Sequence, residues 1–325
     1  MKILFIGGTG VISSACSKLC IEKGHDLYLL NRGHSFRTPP REARIWKGDI
    51  RDVRAMHALL KDQEWDVVVD WIAFTPDHVQ ADIELFRGKT KQYIFISSAS
   101  AYQTPPQRLP LTESTPLSNP YWQYSRDKIA CEKELLKVLD TSDFPATLVR
   151  PSHTYDATKI PLKGGYLFFD RLKKGKQIII HGDGTSLWTL THHRDFAKGF
   201  LGLLGQPQAI GEAFHITSDE WLTWNQIATL LAHAAGYEPD IIHIPSDFIA
   251  QYDPEWGAGL LGDKAHSMIF DNSKIKHRVP DFEALISFQE GAKEIVEWYD
   301  SHPDQQSIDK DLDSRMERMI SKYIM

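Results

Sequence analysis

The sequence predicts an α/β chain, built as an open, doubly wound parallel sheet with a smaller mixed α/β domain after it. Short runs of continuous apolar residues alternate with helical stretches through the first half, the pattern of strands covered on both faces. A glycine cluster sits at the first strand-to-helix junction. After residue 151 the rhythm becomes irregular, with shorter strands between glycine-marked loops. The 325 residues are 42% apolar and 25% charged. That ordinary globular composition excludes a disordered, fibrous or disulfide-stapled chain.

Lys2–Ile6 reads as the first strand, stopped by Gly7-Gly8-Thr9-Gly10. A helix over 11–23 follows and stops at Gly24. Residues 26–30, 44–46, 65–71, 92–97 and 146–150 are the next five strands. Beyond Pro151, 177–181 and Ala213–Ile216 read as short strands, and a helix runs over about 224–235. At the end of the chain Ile308, Leu312, Met316, Met319 and Ile320 fall at helical spacing among mixed charges. This is the pattern of an amphipathic helix docked on the protein body, not on a membrane.

Lysine and arginine number 37 against 43 acidic residues, a net charge of −6. A mildly acidic chain lacks the basic face of a polyanion binder, so no nucleic-acid partner is expected. Three cysteines, an odd number, read as reduced thiols of a cytoplasmic protein. Cys16 and Cys20 are spaced for one helix face, but no second Cys/His pair completes a metal site. No run approaches the length of a transmembrane helix, and the N-terminus has no signal-peptide layout.

The segment Gly7-Gly8-Thr9-Gly10-Val11-Ile12-Ser13 has the composition of a dinucleotide-binding turn. Glycine allows close backbone approach, and the free N–H groups of the helix start suit a pyrophosphate. At the end of the second strand, where a carboxylate would hold the ribose hydroxyls of NAD, the chain reads Asn31-Arg32-Gly33. No carboxylate there repels a 2′-phosphate, and Arg32 can pair with one, so NADP is favoured over NAD. Arg32 can equally be a solvated turn residue. Asp49, followed by Ile50, suits either the adenine amino group or the N-cap of a helix over 53–60.

Tyr124-Ser125-Arg126-Asp127-Lys128 places a phenol and an ammonium at i and i+4, on one helix face after a cap at Ser118-Asn119-Pro120. A nearby ammonium favours the phenolate and lowers a phenol's pKa towards the useful range. Tyr155 and Lys159 repeat the spacing just before Pro161, where no continuous helix is expected. Ser97-Ser98-Ala99-Ser100 ends the fifth strand, the edge at which open α/β sheets bind ligands. His192-His193-Arg194-Asp195 reads as packing and hydrogen bonding near a helix start, with no metal ligand set.

Together, the loop 7–13, the Ser97-Ser98 strand end, Tyr124/Lys128, Leu148-Val149-Arg150-Pro151 and Asp271-Asn272-Ser273-Lys274 resemble the extended short-chain dehydrogenase/reductases of the NAD-dependent epimerase/dehydratase family. The resemblance runs to about residue 298. It implies a Rossmann-like domain over 1–157 and a smaller substrate domain over 158–325, with a return to the first near 186–220. It further implies an NAD(P)-dependent oxidoreductase or epimerase of small molecules; the oligomeric state stays open, a homodimer being one option because the Tyr124 helix and its neighbour often form dimer bundles in relatives. Ser98, Tyr124 and Lys128 would be catalytic. Gly7, Thr9, Gly10, Val11, Ile12, Asn31, Arg32, Asp49, Ile50, Ile72, Ala73, Ser97, Tyr124, Lys128, Pro151, Ser152 and His153 would hold the cofactor. Ser100 and Trp188 would face substrate.

Two departures bear on the substrate. The arginines that grip a nucleotide diphosphate in such enzymes are missing, Trp188 standing at one position and 259–264 holding none at the other. The strand end also lacks the Asp-Glu pair of sugar-nucleotide dehydratases. A substrate other than a nucleotide-diphosphate sugar is therefore expected. Asn31-Arg32-Gly33 and residues 66–98 also resemble chloroplast stem-loop-binding proteins, which leaves a non-catalytic or RNA-associated reading.

Overall fold

The computed structural model describes residues 1–141 and 144–325. Strands β1 (Lys2–Ile6), β2 (Asp26–Asn31), β3 (Arg44–Lys47), β4 (Val67–Asp70), β5 (Tyr93–Ile96) and β6 (Ala146–Pro151) come first. They alternate with helices α1 (Val11–Glu22), α2 (Val53–Leu60), α3 (Pro76–Phe86) and α4 (Gln123–Thr141). The rest comprises β7 (His153–Tyr155), α5 (Leu167–Lys173), β8 (Ile178–His181), β9 (Leu187–Trp188), β10 (Leu190–His192) and α6 (His193–Leu201). Then follow β11 (Ala213–Ile216), β12 (Leu222–Thr223), α7 (Trp224–Ala234), β13 (Ile241–Ile244), α8 (Ser246–Tyr252) and α9 (Pro254–Gly259). The last helices are α10 (Ser273–Arg278), α11 (Phe288–Ser301) and α12 (Lys310–Ile324).

Seven parallel strands form the main sheet in the order β11-β6-β5-β4-β1-β2-β3. The order reverses between β1 and β4, and ligands of open sheets bind at such a crevice. Alternation along β1 divides the core. Ile3 and Phe5 pack with Cys16, Phe196 and Phe200 from α1 and α6. Leu4 and Ile6 pack on the other face with Met56, Ile83 and Leu135 from α2, α3 and α4. The edge strand β3 carries exposed Arg44 and Lys47, charges that discourage edge-to-edge pairing. No described helix is long and apolar enough to cross a membrane.

Local chemistry moves three expected boundaries. Asp52, not Asp49, caps α2 by accepting from the Ala55 N–H, while Asp49 accepts from the Arg51 N–H. The 118–120 segment does not start α4. Asn119 instead accepts from the N–H groups of Tyr121 and Trp122 in a turn that delays the helix to Gln123. Ile308 is exposed and precedes α12, which is capped by Asp309. Leu312, Met316, Met319 and Ile320 do dock, against Leu167, Ile179, Ile244, Ile249 and Leu260. Ion pairs from Arg171 to Asp313 and Glu317 fix the helix there.

A second feature concerns two carboxyls under the sheet's reversal. Asp70 and Asp82 are fully buried, and each keeps one carboxyl oxygen, Asp70 Oδ2 and Asp82 Oδ1, without a hydrogen-bond partner. Burial first, then the charge of Asp70, raises the pKa of Asp82 well above the usual range. Tyr93 donates to Asp82 Oδ2 at 2.6 Å, and Arg51 lies 3.7 Å from Asp70 Oδ2. The folded chain thus holds a proton that the unfolded chain releases above about pH 4. Stability contributed by Asp82 declines as pH rises through that window. Asp82→Asn retains an acceptor for Tyr93 without a titrating carboxyl. In urea unfolding its stability relative to wild type should grow by about 1 kcal/mol or more between about pH 5 and pH 8. Parallel pH profiles would show that Asp82 is not the proton holder.

Candidate active site

The glycine loop joins β1 to α1. Gly7 and Gly8 have φ of +104° and +92°, and a Cβ on Gly8 would stand 2.6 Å from Leu29 Cδ2. Ser13 keeps the loop tight in place of a third glycine, its Oγ accepting from the Gly10 N–H at 2.8 Å. The N–H groups of Val11 and Ile12 occupy the first turn of α1, where no intrahelical acceptor exists. This is a cradle for an anion. Arg32, at the end of β2, is 64% exposed and 3.8 Å from Asp49 Oδ2, so the two residues expected to read the adenosine half pair with each other. Further along the same loop, Ser35 Oγ donates to the Thr9 carbonyl. Arg37 then crosses to Asp156 at 3.0 Å and to Thr158, a strap beside the glycine loop that sequence reasoning missed.

Two carbonyls at the strand ends hold Lys128. Its Nζ donates to Ala73 O at 2.6 Å and Ile96 O at 2.7 Å, which joins the ends of β4 and β5 to α4. Burial lowers its pKa to about 8. Ile72 is fixed from both sides, its N–H donating to Asp70 and its carbonyl accepting from Arg51. Ile50 is buried in the core beneath. Ser97 Oγ is buried without a partner at the end of β5. Such an orphan needs a donor or acceptor from outside the chain.

Three serines make a chain towards Tyr124. Ser125 Oγ donates to Ser100 Oγ at 2.8 Å, and Ser100 Oγ meets Ser98 Oγ at 2.9 Å. Ser98 in turn hydrogen-bonds Tyr124. Ser100 therefore supports Ser98, and it also lines the cavity described below. The Tyr124 pKa is opposite to expectation. Burial raises it, and the Ser98 hydrogen bond offsets this only in part. The ammonium of Lys128 is turned to its two carbonyls, 5.8 Å from the Tyr124 ring centroid, and does not pull the phenol down. Tyr124 rests as a neutral phenol, a proton donor.

Ser98 and Tyr124 line a cavity of about 540 Å³ together with Pro151, Ser152, His153, Trp188 and Trp224. Trp188 Nε1 donates to His153 Nδ1 at 3.2 Å. Since an indole N–H only donates, the His153 proton lies on Nε2. Burial holds this imidazole far below its ordinary pKa, so it stays neutral. Ser152 Oγ is occupied by Thr191 at 2.7 Å. Tyr155 lies in β7, fully buried, and not on a helix with Lys159. His192 caps α6 by accepting from the Arg194 N–H, and His193 hydrogen-bonds the Val11 carbonyl. No cluster of metal-ligating side chains occurs among the described residues.

Known proteins share the fold. The model of the NAD dependent epimerase/dehydratase family matches residues 3–217. The chloroplast stem-loop binding protein of 41 kDa b of Arabidopsis thaliana is 30% identical over 263 residues, 76% of this chain and 67% of that protein. A UDP-glucose 4-epimerase of Lactobacillus helveticus is 31% identical over 153 residues, 41% of this chain and about half, 46%, of its own length. Among solved structures, the UDP-glucose 4-epimerase of Bifidobacterium longum in complex with NAD+ and UDP superposes with a TM-score of 0.76 at 18% identity, covering 94% of this chain and 100% of that one. The dTDP-glucose 4,6-dehydratase of Bacillus anthracis in complex with NAD has a TM-score of 0.75 at 19% identity, covering 94% and 98%. These two show a common fold. With its model matched across the sheet from β1 to β11, this chain belongs to the NAD dependent epimerase/dehydratase family.

Proposed function

We propose that the protein is an NAD(P)-dependent oxidoreductase or epimerase acting on a hydroxyl or carbonyl substrate other than a typical nucleotide sugar. One observation carries this reading: Ser98, Tyr124 and Lys128 meet at the strand ends, two of them on the wall of one cavity. The residues fit a dinucleotide. The loop at Gly7 and Gly8 has no room for a Cβ at its tightest point, and Ser97 presents an orphaned hydroxyl at the adjacent strand end. Gly7 to Ile12 would hold the pyrophosphate, Asn31, Arg32 and Asp49 the adenosine half, and Lys128 with 151–153 the nicotinamide end. When bound, the nicotinamide would supply or accept a hydride at the substrate carbon.

The chain's own groups would manage the proton. Tyr124, neutral at rest, gives its proton to a substrate carbonyl oxygen or, in the reverse direction, recovers it from a hydroxyl. Ser98 orients that oxygen, and the Ser125–Ser100–Ser98 chain points successive O–H dipoles along one line. Lys128, with a pKa near 8, spends its ammonium on Ala73 O and Ile96 O, so its part is to fix α4 and the position of Tyr124 on it. No arginine lines the cavity among the described residues, which weighs against a diphosphate substrate.

The stem-loop binding relative favours a second reading, an RNA-associated chain. A net charge of −6 opposes it, and a salt titration of binding to a hairpin RNA decides. We expect no binding that weakens with added salt; saturable, salt-sensitive binding would favour the second reading.

Two further outcomes are expected. Tyr124→Phe should bind reduced cofactor normally, by fluorescence titration, while turnover falls about 10²–10⁴-fold. Tyr155→Phe, which removes a hydroxyl without a partner, should stay close to wild type. NADPH should bind more tightly than NADH, with the difference shrinking in Arg32→Ala. Tighter NADH binding, indifferent to that substitution, would reverse the preference.

A further inference from the structure

Lys264 ends a π-helical turn, Leu260–Lys264, that forms part of the cavity wall. Such turns are rare and occur often at functional sites. Its main chain is held from three directions. The Lys264 carbonyl accepts from His181 Nε2 at 2.9 Å, Ser186 Oγ at 3.0 Å and Trp224 Nε1 at 3.2 Å. At Gly262 the turn presses on the segment before α4: a Cβ there would lie 2.8 Å from Trp122 Cβ, and its carbonyl accepts from Asn119 Nδ2. α12 packs against Leu260.

The side chain of this fixed residue is an ammonium between two indoles. Lys264 Nζ stands 5.3 Å from the Trp122 ring centroid and 5.6 Å from that of Trp188. The side chain is only 23% exposed, and Asp263 Oδ2, at 3.1 Å, takes one of its three N–H bonds. The neighbouring His153 offers Nε2–H, a donor with no partner among the described residues, because its Nδ1 is occupied by Trp188. Lys159, also on the lining, joins Lys264 in depressing the His153 pKa, so both cations act on the same part of the cavity. Against them the lining carries two carboxylates, Asp263, which Lys264 occupies, and Glu255. Lys163 leans on Asp253 at 3.8 Å. Among the described residues the lining thus sets three lysines, Lys159, Lys163 and Lys264, against two carboxyl groups, with aromatic walls around them. Single ammonium groups suit a compact anion, whereas a diphosphate calls for forked arginines.

We propose that the molecule bound here carries a compact anionic group, a carboxylate or phosphomonoester, held by the Lys264 ammonium and the His153 Nε2–H. Its ring or apolar body lies against Trp188 and Trp122. That this molecule is the substrate rests on the proposed reaction at Tyr124; the anion site itself does not. Calorimetric titrations of the full chain carrying Tyr124→Phe separate the two, because binding is then read without turnover. The probes are glucose 6-phosphate, glucuronate, glucose and UDP-glucose. Glucose 6-phosphate or glucuronate should bind saturably, at least about tenfold more tightly than glucose. Adding Lys264→Met should weaken the charged probe by about ten- to a hundredfold and leave glucose unchanged, and any fall in melting temperature from unpairing Asp263 should be recovered in Lys264→Arg. Lys264→Arg should restore most of the affinity. The anion site is overturned if neither charged probe binds, if glucose matches them, if Lys264→Met has no effect, or if UDP-glucose binds most tightly. The sources separate within the charged pair, since glucose 6-phosphate tests the phosphomonoester and glucuronate the carboxylate. Lysine-dependent binding of a probe that wild-type protein never turns over supports the site and counts against the reaction at Tyr124 alone.

Discussion

Lys128 bridges the carboxyl ends of β4 and β5, and the site takes its shape from that bridge. A buried ammonium needs acceptors, and here they are two main-chain carbonyls, Ala73 O and Ile96 O, on different strands. The bond pair fixes how far α4 can approach the sheet. It therefore sets the position of Tyr124 one turn earlier and of Ser125 beside it. A second tie acts further along the helix, where Arg150 on β6 makes a buried two-pronged pair with Glu132, at 2.9 and 2.6 Å. Forked geometry of this kind fixes direction as well as distance. Between them the two ties leave α4 little freedom to slide or rotate. The serine chain, which depends on distances of 2.8 and 2.9 Å, requires that rigidity.

The electrostatics of the site follow from burial more than from pairing. Desolvation raises the phenol of Tyr124, lowers the ammonium of Lys128 and keeps His153 neutral. Each shift moves the group towards its uncharged form, as expected where water is largely excluded. A site in that condition keeps the phenol's proton in place and leaves the imidazole without a second one. The exposed Arg32–Asp49 pair at the adenosine end is different, since solvent screens it and either partner is free to turn to a ligand.

Much of this was legible in the sequence because it is local. Continuous apolar runs marked β1, β4 and β5, the glycine loop marked the first crossover, and the spacing of Tyr124 and Lys128 placed both on α4. The docking of Leu312, Met316, Met319 and Ile320 was likewise visible in their helical period. Signals were lost where the contact spans the chain. Ser100 meets Ser125 only after α4 docks on the end of β5, and nothing at either position announces the other. The strap from Arg37 reaches Asp156 across more than a hundred residues, and the charge of Asp70 at a strand end acts on Asp82 in a helix across one crossover. The Tyr124 pKa was misjudged for a related reason: spacing reveals that an ammonium is near, but not that two carbonyls already claim it.

The threefold hold on the Lys264 carbonyl has a consequence for how this cavity can change over evolutionary time. All three donors grip the main chain, and none touches the side chain. Most wall residues of a packed cavity, such as Trp188 and Trp224, are structural and recognising at once, so altering one disturbs the other. At position 264 the two duties are divided between backbone and side chain. A new side chain there changes the charge that an incoming molecule meets while the turn, the indoles and β8 stay in register. The one structural tie of the side chain is its pair with Asp263, so selection can retune recognition at this point by changing two neighbouring residues together, and descendants of one scaffold can diverge in ligand charge without rebuilding the wall.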